Sequence, residues 1–180
     1  PFVRAEDGRA PRDSTVARLT FDDEFLAVRF DCADRDAWGT LTERDAPLWQ
    51  EEVVELFLAP GLEVPRRYFE FELSPNGALF DAVIENPDSR RDTMTANLDW
   101  NCEGIRWRVG RADPQKNQDW WAILVLPWRA IWDERRGPRP TEWRANLYRI
   151  ERPRGEGPEF TAWSPTFENP ADFHQPARFG

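Results

Sequence analysis

The chain has little of the chemistry on which many metal sites and nucleophilic enzymes depend. It carries one histidine and two cysteines in 180 residues. With one His, a His-based zinc site and a Ser-His-Asp triad are close to excluded. Cys32 and Cys102 allow one disulfide at most, and that bridge stays open beside the favoured alternative, two buried unpaired thiols.

Two further absences concern partners. No apolar run approaches the length of a membrane span, and the net charge of −9 argues against nucleic acid and anionic membrane as partners. We expect a single monomeric domain over residues 1–180, a length that buries a sizeable core. The chain begins without an initiator Met, so we expect trimmed ends, which is compatible with a removed secretory signal.

Tryptophan and proline are abundant instead, at ten and sixteen residues. Short segments with alternating or continuous apolar residues, separated by turn signals such as Ser74-Pro75-Asn76-Gly77, predict strands. These segments are 16–21, 25–30, 53–58, 68–73, 78–84, 105–110, 120–126 and 143–150. With one short helical turn at 127–132, they predict an all-β protein, an antiparallel β-sandwich of jelly-roll or immunoglobulin-like type.

The segment 53–58 is apolar on both faces, which predicts a strand covered on both sides. Glu55 breaks this pattern on the side shared with Val53 and Phe57, and a buried carboxylate needs a partner. Trp49 ends the polar run before it. An aromatic ring can cover the C–H face of a sugar while the carboxylate accepts its hydroxyls. The alternative is a half-buried Trp beside a Glu paired with an Arg inside the sheet.

Trp163 is a second aromatic residue of interest, because a short strand delivers it to a loop fixed by Pro165. Such a Trp is a rigid platform, and two platforms that face each other would hold one sugar ring between them. The alternative is a Trp that caps the end of the core.

Catalysis is not favoured. Glu55, Glu70 and Glu72 lie on strands expected to be neighbours, and a glycosidase needs two such carboxyl groups. One of them would also need a pKa raised by an apolar pocket, which the sequence does not establish. The alternative for Glu70 and Glu72 is a solvated strand face bridged to Arg residues.

No metal or cofactor is predicted, although two acidic clusters offer the oxygen ligands that calcium prefers. In an acidic protein we favour solvated turns for both of them, which are Asp31, Asp34 and Asp36, and Asp22, Asp23 and Glu24. His174 is expected to brace its Pro-rich loop through hydrogen bonds. Haem ligation by Met94 and His174 is the weaker alternative.

Four stretches, in order along the chain, resemble a known family, the family 9 carbohydrate-binding modules and their stand-alone bacterial relatives. They are Leu48-Trp49-Gln50-Glu51-Glu52-Val53-Val54-Glu55-Leu56-Phe57, Tyr68-Phe69-Glu70-Phe71-Glu72-Leu73-Ser74-Pro75-Asn76-Gly77, Trp143-Arg144-Ala145-Asn146-Leu147-Tyr148-Arg149, and Trp163-Ser164-Pro165-Thr166 with Phe173-His174-Gln175-Pro176-Ala177-Arg178-Phe179-Gly180. The resemblance spans about residues 15–180 and implies a sandwich related to the DOMON group.

The resemblance also implies a sugar site. Trp49 matches the first of two Trp side chains that hold a chain end, and Trp163 is the candidate for the second. Glu55 matches a strand Glu that bonds sugar hydroxyls. Glu72 and Ser74 stand where sugar-binding members carry Arg and Asn, so their contacts with hydroxyls are expected to differ.

The function implied is non-catalytic binding of plant-polysaccharide chain ends or short sugars, such as those of xylan and cellulose. It would serve carbohydrate catabolism as an accessory to a glycoside hydrolase, in an extracellular or periplasmic location. The alternative is an interaction or structural domain that keeps the sandwich and has lost the sugar site.

Overall fold

The predicted strands form in the computed structural model, which describes residues 1–113, 115 and 118–180. Eleven strands occur in these residues: β1 Val3–Arg4, β2 Thr15–Phe21, β3 Phe25–Cys32, β4 Val53–Pro60, β5 Arg67–Leu73, β6 Leu79–Glu85, β7 Thr95–Asn97, β8 Arg106–Arg111, β9 Trp120–Pro127, β10 Trp143–Glu151 and β11 Glu159–Ala162. The predicted helical turn is α1, Trp128–Ile131. Three 3₁₀ turns lie at Leu48–Gln50, Glu134–Arg136 and Pro176–Arg178.

The strands make two antiparallel sheets, so the predicted all-β antiparallel sandwich is confirmed. The larger sheet has the order β1-β11-β10-β4-β5-β6-β7, and the smaller has the order β2-β3-β9-β8. Apolar side chains of both sheets meet between them, among them Val28, Leu56, Phe71 and Leu124. Every second residue of a strand points to this core, as the period of two requires.

β4 lies at the centre of the larger sheet, between β10 and β5. Val54, Leu56 and Leu58 point to the core between the sheets, while Val53, Glu55 and Phe57 point to the opposite, outer face of the larger sheet. Loop residues cover that outer face in a second apolar cluster, for example Phe173, which stacks on Tyr148 with ring centroids 4.2 Å apart. This cover explains why the sequence of β4 is apolar on both sides.

Two strands, β7 and β1, are not predicted by the sequence pattern, and the structure gives a physical reason for each. β7 lies inside the long polar segment 85–103 and pairs with the last residues of β6. Its three side chains are exposed, so no burial pattern marks it in the sequence. β1 has only two residues and pairs with β11. Edge strands this short are held by backbone hydrogen bonds rather than by a buried face.

Both cysteines are buried free thiols, which confirms the favoured alternative to a disulfide. Burial raises the pKa of the Cys32 and Cys102 thiols to about 12, so neither is a reactive thiolate at neutral pH. Among the described residues, no helix is long and apolar enough to cross a membrane.

Candidate functional site

A cavity of about 690 Å³ opens on the outer face of the larger sheet. Glu55 of β4 and Glu70 and Glu72 of β5 lie in its lining, where the alternation of each strand turns them away from the core. Trp49 and the loop 168–174 also line the cavity. The cavity therefore combines carboxylates fixed on two rigid strands with an aromatic residue and a loop.

The three glutamates form a tight group. Glu55 pairs with Glu72 in the register of β4 and β5, and Glu70 lies on the same face one pleat away. One carboxylate oxygen from each residue lies within 4.8 Å of the others. The side chains are almost fully buried, with 2%, 5% and 1% of Glu55, Glu70 and Glu72 exposed. None of the three is hydrogen-bonded or ion-paired to an arginine in the part of the chain that the structure describes, so the internal Arg partner considered for Glu55 is absent there.

Burial governs the protonation of this group. Desolvation raises the pKa of Glu55 well above its ordinary value, and the charge of Glu70 adds to the shift. Desolvation raises the pKa of Glu70 to about 7. The pKa of Glu72 is also raised well above its ordinary value, first by burial and then by the charges of Glu55 and Glu70. The carboxyl groups therefore share protons near neutral pH rather than carrying three full charges.

Trp49 is fixed at the edge of the cavity by the 3₁₀ turn Leu48–Gln50. Leu48 is fully buried and anchors the turn, and the backbone N–H of Glu51 donates to Leu48 O at 2.9 Å. The indole packs edge-on against Phe80, with ring centroids 5.4 Å apart, and it keeps 40% of its surface exposed. A held aromatic ring that remains accessible is the geometry that a stacking platform requires.

The loop 168–174 is fastened to the rest of the site. Arg91 Nη1 donates to Asp172 Oδ1 at 3.1 Å, and the backbone N–H of His174 donates to the same oxygen at 3.1 Å. Gln175 Nε2 donates to Asp172 Oδ2 at 3.1 Å. Asp172 therefore organises this wall of the cavity.

His174 acts as a brace, as the sequence predicted. Its Nδ1 lies 2.7 Å from the hydroxyl of Tyr68, and that hydroxyl also lies 3.8 Å from Met94 Sδ. Burial lowers the pKa of His174 to about 3, so the ring is neutral. Because the Tyr68 hydroxyl lies within hydrogen-bonding reach of both Met94 and His174, this arrangement does not favour the haem alternative.

The five predicted site residues do not all converge. Trp49, Glu55 and Glu72 line the same cavity. Ser74 is buried, and its hydroxyl accepts a hydrogen bond from Ala78 N at 3.1 Å, so it supports the turn after β5. Trp163 is 47% exposed but does not line the cavity.

Trp163 lies instead beside the end of the described chain. Its backbone N–H donates to Leu147 O at 2.8 Å. Its indole lies so close to Gly180 that an added Cβ there would approach the ring to 2.6 Å. The position of this ring depends on the pairing of Gly180 with Ala145, a long-range contact that no local pattern announces.

Other residues that line the cavity differ in how clearly the sequence indicates their position. Glu70 shares the alternation of Glu72, so the same pattern that singled out one carboxylate indicated both. Phe80 lies on the outer face of β6, and the alternation of that strand in the sequence is a signal for its position. Arg91 and Asp172 lie in polar loops 81 positions apart, and nothing in the sequence connects them.

The acidic clusters considered for calcium are neutralised by arginines or used in turns. Asp31 pairs with Arg18 and with Arg29, and Asp36 pairs with Arg154 at 2.7 Å. Asp22 accepts backbone hydrogen bonds from Glu24 and Phe25, each at 2.8 Å. These contacts support the interpretation of solvated turns for the cluster at Asp22. For the other cluster that interpretation is wrong in part, because Asp31 lies in β3 and Asp34 is buried.

Asp34 belongs to a buried polar network near one end of the core. Arg149 is 1% exposed, and its Nη2 donates to Asp34 Oδ2 at 2.7 Å. Its Nη1 donates to Thr15 Oγ1 at 3.1 Å and to Ala33 O at 2.8 Å. Glu52 is fully buried nearby. Desolvation and the charge of Asp34 raise the pKa of Glu52 to about 8, against the opposing charge of Arg149.

Glu52 is expected to make the fold less stable as the pH rises. An unfolded glutamate titrates near 4.5, so between about pH 5 and 8 the folded state holds a proton that the unfolded state has released. The contribution of this proton to the free energy of unfolding is fully present below pH 4.5. It decreases by up to about 1.4 kcal/mol per pH unit above that and is lost as the pH rises through about 8. Glu52→Gln should therefore gain stability relative to wild type at pH 8.5 but not at pH 4.

The free energy of unfolding of wild type and Glu52→Gln is measured by urea unfolding from pH 4 to 8.5 at constant ionic strength. Glu63→Gln, at an exposed position, is the matched control and should follow wild type throughout. If the free energy of unfolding changed with pH in the same way in wild type and Glu52→Gln, Glu52 would be ionised in the folded protein, against this prediction.

Comparison with known proteins gives a family and a fold. Residues 12–180 match the model of carbohydrate-binding family 9. A protein of Arthroderma benhamiae described as "Extracellular protein" is 26% identical over 156 residues, which are 82% of this chain and 68% of that protein.

Three solved structures share the fold. A candidate carbohydrate-binding protein of Bacteroides uniformis superposes with a TM-score of 0.72 at 16% identity, covering 100% of this chain and 84% of that one. A family 9 module of Caldicellulosiruptor kristjanssonii in complex with glucose superposes with a TM-score of 0.59 at 11% identity. The match covers 100% of this chain and 81% of that one. A family 9 module of the same organism in complex with cellotriose superposes with a TM-score of 0.61 at 12% identity. The match covers 99% of this chain and 78% of that one.

Proposed function

The chain belongs to carbohydrate-binding family 9, and from this premise we propose that its outer-face cavity binds a sugar without transforming it. The observation that carries the proposal is that the half-exposed ring of Trp49 and the carboxyl group of Glu55 line one cavity. The family is one of non-catalytic binding modules. A cavity of about 690 Å³ lies within the range of small-ligand sites, about 300–1,000 Å³.

The two groups play different parts in binding. The indole of Trp49 covers the C–H face of a pyranose ring and supplies most of the affinity. The carboxyl groups of Glu55 and Glu70 accept or donate hydrogen bonds to the ring hydroxyls and fix the orientation of the sugar. Because binding displaces water and orders the sugar, the net affinity is expected to be weak.

The proposed ligands are short β-linked glucose sugars and the ends of plant-polysaccharide chains, of cellulose or xylan type. The glucose and cellotriose complexes of the structurally similar modules support this choice. The fastened loop 168–174 bounds the cavity on one side, which favours a chain end over the middle of a long chain.

We place this activity outside the cytoplasm, as an accessory to polysaccharide breakdown by a glycoside hydrolase. The description of the Arthroderma benhamiae relative as extracellular supports that location. The proposal does not include catalysis. Glu55, Glu70 and Glu72 project from adjacent positions on one face, whereas a catalytic pair flanks the glycosidic bond from two sides.

A second candidate function is an interaction domain that has lost the sugar site. One observation favours it: Trp163 does not line the cavity that contains Trp49, so the site has one exposed Trp platform rather than two facing ones.

Calorimetric titration of the wild-type protein with glucose, cellotriose and xylotriose separates these candidates. We expect saturable binding of at least one of these sugars, and none of mannitol, an acyclic polyol that offers hydroxyls without a ring face. Heats indistinguishable from dilution for every sugar would contradict sugar binding and favour the interaction domain.

A further inference from the structure

The three cavity glutamates are buried side by side without a hydrogen-bonded basic partner among the described residues. Glu55, Glu70 and Glu72 each offer an oxygen within 4.8 Å of the other two. The charge of Arg91 lowers the pKa of Glu55 and Glu70, but its guanidinium is hydrogen-bonded to Asp172 at 3.1 Å. Buried carboxylates are normally paired or coordinate a metal, and no basic side chain in the described part of the chain is paired with these three.

A second observation points to a ligand at the same place. Oε2 of Glu72 is buried without any hydrogen-bond partner among the described residues, and Glu72 itself is 1% exposed. A buried acceptor left unpaired costs about 1–3 kcal/mol, and more when the group is charged. Such an atom is therefore expected to meet a ligand that the protein chain does not provide.

We propose that Glu55, Glu70 and Glu72 form a divalent-cation site with a preference for Ca²⁺. The donor set is all oxygen, and hard cations such as calcium take carboxylate oxygens at about 2.3–2.6 Å, so two ligands of one ion can lie up to about 5 Å apart. Neither a histidine nor a cysteine joins this group of three among the described residues, which disfavours zinc.

The geometry favours calcium over magnesium. Three carboxylates projecting from fixed strands cannot easily adopt the ideal octahedral arrangement that Mg²⁺ demands, whereas Ca²⁺ accepts six to eight oxygens in irregular geometry. The cavity leaves room for water to complete the coordination. This site is distinct from the loop clusters around Asp31 and Asp22, whose carboxylates are already paired with arginines or backbone N–H groups. The cation would bind carboxyl groups that the proposed function assigns to sugar hydroxyls, so it would share them with the sugar or compete with it, but its binding can be tested without sugar.

The test is thermal unfolding in the absence of sugar at pH 7.5, first after treatment with EDTA and then with CaCl₂ up to about 10 mM, above the about 10⁻⁴–10⁻³ M range of extracellular calcium modules. We expect calcium to raise the melting temperature of the wild type progressively and magnesium to raise it less. Glu72→Gln should weaken calcium binding at least tenfold, and so should Glu55→Gln.

Asp23→Asn is the matched control, because this carboxylate is fully exposed on a turn, and it should respond to calcium as the wild type does. The EDTA-treated melting curve of each variant shows whether it folds. An unchanged melting temperature of the wild type in calcium would overturn the proposal and leave a proton shared between Glu70 and Glu72 as the occupant. An equal calcium response in wild type and Glu72→Gln would also overturn it. Because sugar is absent, neither result bears on carbohydrate binding.

Discussion

Asp34→Asn is expected to lower the free energy of unfolding by about 3 kcal/mol. Asp34 and Arg149 form a buried ion pair at 2.7 Å, with side chains 2% and 1% exposed. Removing one partner of such a pair leaves an uncompensated buried charge, which costs about 3–5 kcal/mol. We expect the lower end of this range because Glu52 lies close enough to Arg149 to ionise and replace part of the lost charge.

The substitution also disturbs two neutral contacts. Asp34 Oδ2 accepts from the indole of Trp120 at 3.2 Å, and Asp34 Oδ1 accepts from Asp36 N at 2.8 Å. An Asn side chain has one acceptor and one donor end, so it cannot satisfy Trp120, Arg149 and Asp36 together.

The matched control is Asp31→Asn. Asp31 lies three residues before Asp34, at the end of β3, and pairs with Arg18 and Arg29 at the surface. Exposed pairs contribute about 0–1 kcal/mol, so this variant should lose less than about 1 kcal/mol. Urea unfolding at pH 7 measures both. If Asp34→Asn were no more destabilising than Asp31→Asn, the buried pair would not contribute to stability as the structure implies.

Trp49→Ala is expected to weaken sugar binding about 5- to 150-fold. By analogy with base stacking on aromatic residues, one stacking contact contributes about 1–3 kcal/mol, and each 1.4 kcal/mol corresponds to about tenfold in the dissociation constant. The fold should survive, because the indole is 40% exposed and its main ring contact is with Phe80.

Trp163→Ala is the informative control. The family resemblance assigns Trp163 to the second platform, whereas the structure leaves it out of the cavity lining. From the structure we expect less than a twofold change in affinity. Calorimetry with cellotriose measures both variants. Equal affinity of wild type and Trp49→Ala would exclude Trp49 as the platform, and a large loss in Trp163→Ala would mean that the loop after β11 moves over the sugar.

The fold and the floor of the cavity were predictable because they depend on local alternation. The period of two in β4 and β5 places Glu55, Glu70 and Glu72 on one face whatever the remaining chain does. The apolar character of both faces of β4 indicated a cover on each side, and the second cluster around Phe57 and Phe173 provides it. These inferences need only the strand assignment.

The walls of the cavity were not predictable, because they depend on contacts between distant loops. Asp172 is placed by Arg91, 81 positions away, and Trp163 is placed by the backbone of Leu147 and by Gly180. Neither contact leaves a pattern in the sequence around it. The same limit applies to charge: the sequence showed Asp31, Asp34 and Asp36 as one cluster, and only the fold assigns them to different arginines.

Sugar binding in this cavity is tested most directly by ¹⁵N-resolved NMR of the wild-type protein during titration with cellotriose. The indole N–H of Trp49 and the backbone amides of Glu55 and Glu72 should shift together and saturate with one dissociation constant, while the indole N–H of Trp163 stays in place. Saturable shifts confined to other surfaces, or no shifts at all, would contradict a sugar site formed by Trp49 and the three glutamates.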